Sequence, residues 1–256
     1  MDPFALTGKV ALVTGGARGI GAASAALLAR CGADIAIVDV LDTSAAVAAV
    51  VAEGRRGVGY AADLRSEIAV GELVARVVAD FGGLDIVHNN AGISRCSAAE
   101  DTTFEQWREV LAIDLDAVFL VARAAGRALI AQGRGGSIVN TASMSGLIVN
   151  YPQEQVAYNA AKAGVIQLTR SLACEWAEFG IRVNSIHPYS IDTPMVEAEA
   201  MMAIGGKYPQ FLHSFAPMPY KPKNHAGKAG LQEFMRPEEV ADVVAWLAGD
   251  ASATIS

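Results

Sequence analysis

Six short apolar runs punctuate the chain, and longer segments with helical periodicity lie between them. The runs are Lys9–Val13, Asp34–Val40, Val58–Ala62, Leu84–His88, Ser137–Thr141 and Arg182–His187. The helical stretches are Gly21–Arg30, Thr43–Glu53, Glu67–Phe81, Phe104–Gln132, Gln155–Phe179 and Pro237–Ala248. Strands that alternate with helices imply right-handed βαβ units and a parallel sheet. The runs are continuously apolar instead of alternating, as expected where helices cover both faces of a sheet. The expected fold is therefore α/β: a single-domain, doubly wound parallel sheet of Rossmann type, with strand order 3-2-1-4-5-6.

Composition fits this and removes other classes. Of 256 residues, 52% are hydrophobic and 18% are charged, enough to bury a large core without disulfides or metals. The formal net charge of −7, without basic clusters, argues against a nucleic-acid partner. No apolar run approaches the ~20 residues that cross a bilayer, and Met1–Lys9 lacks the form of a secretory leader. A cytoplasmic protein without a membrane partner is expected. Cys31, Cys96 and Cys174 are widely separated, and His88, His187, His213 and His225 form no i,i+4 pair, so no metal site is expected.

The first strand runs into Thr14-Gly15-Gly16-Ala17-Arg18-Gly19-Ile20-Gly21, and a helix follows. Glycines there permit a tight turn whose backbone N–H groups, with the positive end of the helix, can face a pyrophosphate. No Gly-Lys-Ser/Thr ending is present, which disfavours an NTPase loop. Asp39 ends the second strand, 18 residues after Gly21. A carboxylate there accepts hydrogen bonds from ribose hydroxyls and repels a 2′-phosphate, so NAD is favoured over NADP. Arg18 pulls the other way, and Asp39 could instead be a plain turn residue. Further on, Tyr158 and Lys162 stand four apart in a helical segment and therefore share a face. A phenol has an ordinary pKa near ~10, and a neighbouring ammonium favours its ionised form. Such a tyrosine can exchange a proton with an alcohol or ketone near neutral pH.

These elements stand in the order found in the short-chain dehydrogenase/reductase family, which the chain resembles over nearly its whole length. The matching segments are the glycine turn, Asp63-Leu64, Asn89-Asn90-Ala91-Gly92, Ile138-Val139-Asn140 with Ser143, Tyr158 with Lys162, and Arg182-Val183-Asn184 with Pro188 and Thr193. The resemblance implies an oxidoreductase that moves a hydride between NAD and a secondary alcohol/ketone pair. It assigns Tyr158 as general acid/base, Ser143 as the group holding the substrate oxygen, and Lys162 as the residue that binds the nicotinamide ribose and acidifies the tyrosine. Gly15, Arg18, Gly19, Ile20, Gly21 and Asp39 would hold the adenosine diphosphate. Asp63 and Leu64 would border the adenine, and Asn90, Ala91 and Gly92 would pack beside the adenosine. Pro188, Ile191 and Thr193 would meet the nicotinamide, with Ile191 and Thr193 on its carboxamide. A homo-oligomer, tetramer or dimer, is also implied. Alternative readings are an NADPH-dependent ketoreductase, disfavoured by Asp39, and a catalytically silent NAD-binding module.

The chain departs from the family pattern at several points. Asp114 stands where an asparagine is usual, in Ile113-Asp114-Leu115, and is expected to take part in a proton relay behind Lys162. An ionised aspartate accepts but cannot donate hydrogen bonds, and its charge would oppose the ammonium. Ser143 and Tyr158 are 15 apart, two more than the commonest spacing. The extra residues fall in Asn150–Gln155, which resembles the Asn-x-Pro-Gln loop of polyol dehydrogenases, so Gln153 is a candidate substrate contact; His187–Met195 with the long segment after it instead resembles members that act on terpenoid or other apolar alcohols, and both substrate classes stay open. Tyr189 replaces a glycine after Pro188 and is a second candidate. Residues 195–235, rich in proline and aromatic residues, are expected to form a substrate lid, with an oligomer contact as the alternative. A seventh strand, usual in the family, is expected beyond Ser256.

Overall fold

The computed structural model describes residues 4–150, 153–195 and 235–256. Its centre is one six-stranded sheet in the order β3-β2-β1-β4-β5-β6, the order expected from the sequence. The strands are β1 (Val10–Thr14), β2 (Asp34–Asp39), β3 (Gly57–Ala61), β4 (Ile86–Asn89), β5 (Gly136–Thr141) and β6 (Ile181–Ile186). Every pairing between them is parallel. In β1, Leu12 lies opposite Ala36 on one side and Val87 on the other, so this strand is flanked on both edges.

The continuous apolar runs follow from how the strand faces are used. Ala11, Val13, Ile35 and Ile37 point into one buried cluster, which they share with Ala25, Leu28 and Val244. Those last three come from α1 (Gly19–Arg30) and α7 (Pro237–Ala248). Val10, Leu12, Ala36 and Val38 point the opposite way, into a cluster with Val70, Leu73, Val121, Ala125 and Leu172. That face is covered by α3 (Glu67–Phe81), α5 (Ala117–Gln132) and α6 (Val156–Trp176). Each fully buried Leu, Ile or Val contributes about 1.5–3 kcal/mol of transfer free energy. Truncating Ile37 or Leu12 to alanine would cost about 2–5 kcal/mol.

Local signals set the helix starts. Ser66 Oγ accepts the Ala69 N–H at 3.2 Å to open α3. Thr103 and Gln106 form a reciprocal capping box on α4 (Phe104–Leu111). Pro237 occupies the first turn of α7. Between β2 and β3 lies α2 (Ser44–Ala52).

The single helix expected over Phe104–Gln132 is instead two. A π-helical turn, Ala112–Asp116, separates α4 from α5. Such a turn inserts an extra residue into the helix and re-aims side chains, and it is frequent at functional sites. Its one buried residue is Asp114. The helix expected at Gln155–Phe179 ends at Trp176 and continues as a 3-10 turn, Ala177–Phe179.

Candidate active site

The strand order reverses between β1 and β4, and a cleft of about 490 Å³ opens at the carboxyl ends of the strands there. This is where ligands bind in open α/β sheets. Gly15, Arg18, Gly19, Ile20, Asp39, Asp63 and Leu64 line it at one end, and Ser143, Tyr158, Lys162, Asp114, Gln153 and Tyr189 line it at the other. Asn90, Ala91, Gly92, Pro188, Ile191 and Thr193 also line it. Gly21 does not. It sits behind the turn, where a Cβ would strike the Gly15 carbonyl and approach Asn90 Nδ2 at 2.7 Å.

At the turn end, Gly15 has φ +61°, and a Cβ on it would lie 2.7 Å from Ala91 Cα. Asn90 Nδ2 donates to the carbonyls of Thr14 and Gly15, at 3.2 and 3.1 Å. Thr14 Oγ1 accepts the N–H groups of Asn90 and Ala91. The turn is thus fastened to the end of β4. Arg18, the residue before α1, supplies no side-chain cap, and the first turn of α1 holds no acidic residue. Its leading N–H groups and positive end therefore face the cleft without a competing carboxylate, which fits a pyrophosphate. Asp39 is held by two backbone donors: Ala17 N–H to Oδ2 and Leu41 N–H to Oδ1, each at 3.0 Å. Its remaining lone pairs suit ribose hydroxyls. Asp63 is held by Arg65, whose Nη2 lies 2.7 Å from Oδ2 and whose Nε also donates to it. The Arg65 hydrogen bonds draw the Asp63 carboxyl below its ordinary range.

At the other end, a buried polar rung fixes α6 against the sheet. Asn89 Nδ2 donates to Asn140 Oδ1 and Asn140 Nδ2 donates to Thr169 Oγ1, both at 2.9 Å. Tyr158 and Lys162 then project from the first turns of α6 beside the end of β5. Lys162 Nζ donates to the Thr141 carbonyl at 3.0 Å and lies 5.4 Å from the centre of the Tyr158 ring. It also lies 3.2 Å from Asp114 Oδ1. That contact pairs two buried, oppositely charged groups. Asp114 Oδ2 accepts the Ile93 N–H at 3.0 Å. Burial works against the Lys162 ammonium, but the negative charges of Asp114 and of an ionised Tyr158 outweigh it and raise its pKa. Burial likewise pushes the Asp114 carboxyl up, against the pull of Lys162 and of the Ile93 N–H. Ser143 caps a short 3-10 turn, Met144–Gly146, by accepting the Ser145 N–H at 3.1 Å, and it faces the cleft from there.

Ser145, Val40, Leu41 and Arg65 line the cleft without a distinct signal in the sequence. Ser145 Oγ accepts from both Asn150 Nδ2 and Gln155 Nε2, and Gln155 Nε2 also donates to Gln153 Oε1. This amide cluster forms one wall beside Ser143. Val40, Leu41 and Arg65 complete the end near Asp39. The expected lid, 195–235, lies outside the described residues except for its two ends. Met195 lines the cleft. Met235 pairs with the strand-like segment Ser190–Asp192 through two backbone hydrogen bonds of 2.9 Å. Among the described residues, no helix is long and apolar enough to cross a membrane.

Comparison with known proteins agrees with this geometry. The short chain dehydrogenase family model matches residues 9–203. An uncharacterized NAD-dependent oxidoreductase of Mycobacterium tuberculosis is 43% identical over 98% of this chain and 93% of that protein. The D-threitol dehydrogenase of Mycolicibacterium smegmatis is 37% identical over 99% of this chain and 90% of its own length. A solved short chain dehydrogenase from Mycobacterium paratuberculosis, bound to NAD, superposes with a TM-score of 0.84 at 33% identity, over 98% of this chain and 94% of that one. With an uncapped helix facing one end of the cleft and a tyrosine–lysine pair at the other, the chain belongs to the short-chain dehydrogenase/reductase family.

Proposed function

We propose that the protein is an NAD-dependent dehydrogenase that moves a hydride between NAD(H) and a secondary alcohol/ketone pair. One observation carries the reading: a single cleft joins the turn-and-Asp39 end, suited to an adenosine diphosphate, to the Ser143, Tyr158 and Lys162 end. NAD, when bound, accepts the hydride. Gly15, Gly19, Ile20 and the start of α1 hold its pyrophosphate, and Asp39 takes the ribose hydroxyls. Asp63, Leu64, Val40 and Leu41 border the adenine. Pro188, Ile191 and Thr193 frame the reactive end.

The chain's own groups handle the proton and the positioning. Ser143 Oγ donates to the substrate oxygen and holds it beside Tyr158. The Tyr158 phenolate takes the hydroxyl proton as the alcohol is oxidised, and the phenol returns it in the reverse direction. The Lys162 ammonium lowers the cost of that phenolate. It is held in place by the Thr141 carbonyl and by Asp114. Closing the cleft over the substrate excludes water and fixes the approach; residues 195–235 are proposed as the segment that does so.

The amide wall of Asn150, Gln153 and Gln155 favours a substrate with a further hydroxyl near the carbinol, in line with the threitol-oxidising relative. The test is formation of NADH or NADPH from a panel of polyols and monofunctional secondary alcohols, each with NAD and with NADP. The expected result is turnover with NAD at least about tenfold above NADP, since a 2′-phosphate would meet Asp39. Equal turnover with both cofactors, or none with any alcohol, contradicts the reading. A homo-oligomer is proposed as well. Ile68 and Phe119 are exposed apolar residues flanking the Arg123–Glu67 ion pair on the α3–α5 face, a surface suited to a second copy.

A further inference from the structure

The buried end of the cleft sets a carboxyl against an ammonium before any ligand arrives. Lys162 and Asp114 are 4% and 0% exposed in their side chains, and they face each other at 3.2 Å. The carboxylate is fixed there by three features. The π turn aims it inward, the Ile93 N–H holds Oδ2, and Gly92 leaves it room, since a Cβ at that position would lie 2.6 Å from Oδ1. Among the described residues, other charges near the pair are spoken for. Arg95 acts on Asp114 from further away and is itself paired with Glu109. His88, on the far side of Thr141, is buried and bonded through Nε2 to Thr141 Oγ1, and burial holds it neutral with a pKa of about 3.

A lone buried ammonium would make a neighbouring phenolate favourable at all times, because the phenolate would neutralise it. Here the ammonium is already neutralised. Ionising Tyr158 would then leave one net negative charge in a low-dielectric site, which is costly without a further cation. The oxidised nicotinamide ring is such a cation, and the reduced ring is not. Resting on the dehydrogenase reading above, we propose that Asp114 is a positioning residue that cancels Lys162 and so makes release of the Tyr158 proton contingent on the oxidised cofactor. In the step itself the Tyr158 O–H bond breaks as NAD binds, the electron pair stays on the phenol oxygen, and the proton passes to solvent. The three groups titrate as one coupled set.

Two measurements test this without relying on turnover. Calorimetric titration in buffers of different ionisation enthalpy counts protons released on binding. Near pH 8 the wild-type protein is expected to release about one proton with NAD and close to none with NADH. The NAD-linked release should vanish in Tyr158→Phe. Separately, the phenol of Tyr158 can be titrated by ultraviolet absorbance in the cofactor-free protein, with Tyr158→Phe as the blank. Asp114→Asn should lower that pKa by about one unit or more, since it leaves the ammonium uncompensated. Equal release with NAD and NADH, or release that persists in Tyr158→Phe, overturns the proposal, as does an unchanged phenol pKa in folded Asp114→Asn. If Asp114→Asn does not fold, the wild-type proton counts decide alone. A protein that binds NAD and oxidises alcohols yet shows equal counts refutes only this inference, whereas failure to bind NAD refutes the dehydrogenase reading.

Discussion

The two ends of the cleft use aspartate in opposite ways. At the turn end, Asp39 and Asp63 sit at the solvent edge. Asp39 is oriented by two backbone N–H groups, and Asp63 is paired with Arg65 while both side chains stay about half exposed, at 47% and 54%. At the other end, Asp114 is fully buried against a buried lysine. Water screens the first pair, so these carboxylates act through direct contacts and short-range repulsion. No water screens the second, so Asp114 acts through the charge balance of everything around it. On the reading proposed above, one residue type selects a ligand at one end and sets a proton's availability at the other.

Lys162→Met should break this contrast most severely. It leaves Asp114 buried without a partner, at an expected cost of about 3–5 kcal/mol when the carboxyl is ionised. Turnover should fall about a hundredfold or more, since the phenolate loses its ammonium. The sign with pH is specific. Burial raises the folded carboxyl pKa above the unfolded value near ~3.9, so the folded variant holds its proton longer. Stability of the variant should therefore decline as pH rises from that value through the folded pKa. Denaturant titrations at pH 5 and pH 8 check this, and an equal loss at both would refute it.

His88 offers the converse test at the same buried end. Its pKa is pushed from 6.5 to about 3 by burial, so the folded state binds its proton less readily than the unfolded chain. The stabilisation this gives is present above pH 6.5 and is lost as pH falls toward 3. His88→Gln, which can keep the bond to Thr141, should flatten that acid-side loss in thermal melts between pH 6 and pH 4. A melt that keeps the same pH slope would show that His88 does not carry it.

Asp39→Asn sharpens the comparison with a smaller effect. One of the two backbone donors keeps its acceptor, the other meets the amide NH2, and the negative charge goes. The KM for NAD should rise about tenfold, and the penalty against NADP should shrink by a similar factor. Fold stability should fall by about 1 kcal/mol, for the one lost backbone hydrogen bond. A large drop in melting temperature would mean that Asp39 is mainly a structural cap on the glycine turn.

Much of this molecule is legible in its sequence, for physical reasons that also explain where legibility stops. Strands buried on both faces must be apolar throughout, so Val10–Thr14 and Asp34–Asp39 announce themselves. The glycine turn is legible because close backbone approach excludes a Cβ at Gly15 and Gly21. Tyr158 and Lys162 are legible because helical spacing alone puts them on one face. The π turn is not. Ala112-Ile113-Asp114-Leu115-Asp116 carries the same apolar rhythm as the helices beside it, and one inserted residue leaves no mark on composition. Asp114 could be singled out by type, but its direct contact with Lys162 depends on that insertion. The Asn150–Gln155 amides stand out by their likeness to a polyol dehydrogenase loop, but their convergence on Ser145 is silent, because side chains up to ten residues apart meet only after the loop folds.

On the proposed reading, the phenol of Tyr158 moves the proton in a site that binds NAD independently of it. The most direct measurement pairs turnover with NAD affinity in Tyr158→Phe, using one preparation for both. The expected result is turnover lower by about a thousandfold, with an NAD dissociation constant within about threefold of wild type. Turnover that survives the loss of one hydroxyl would contradict it.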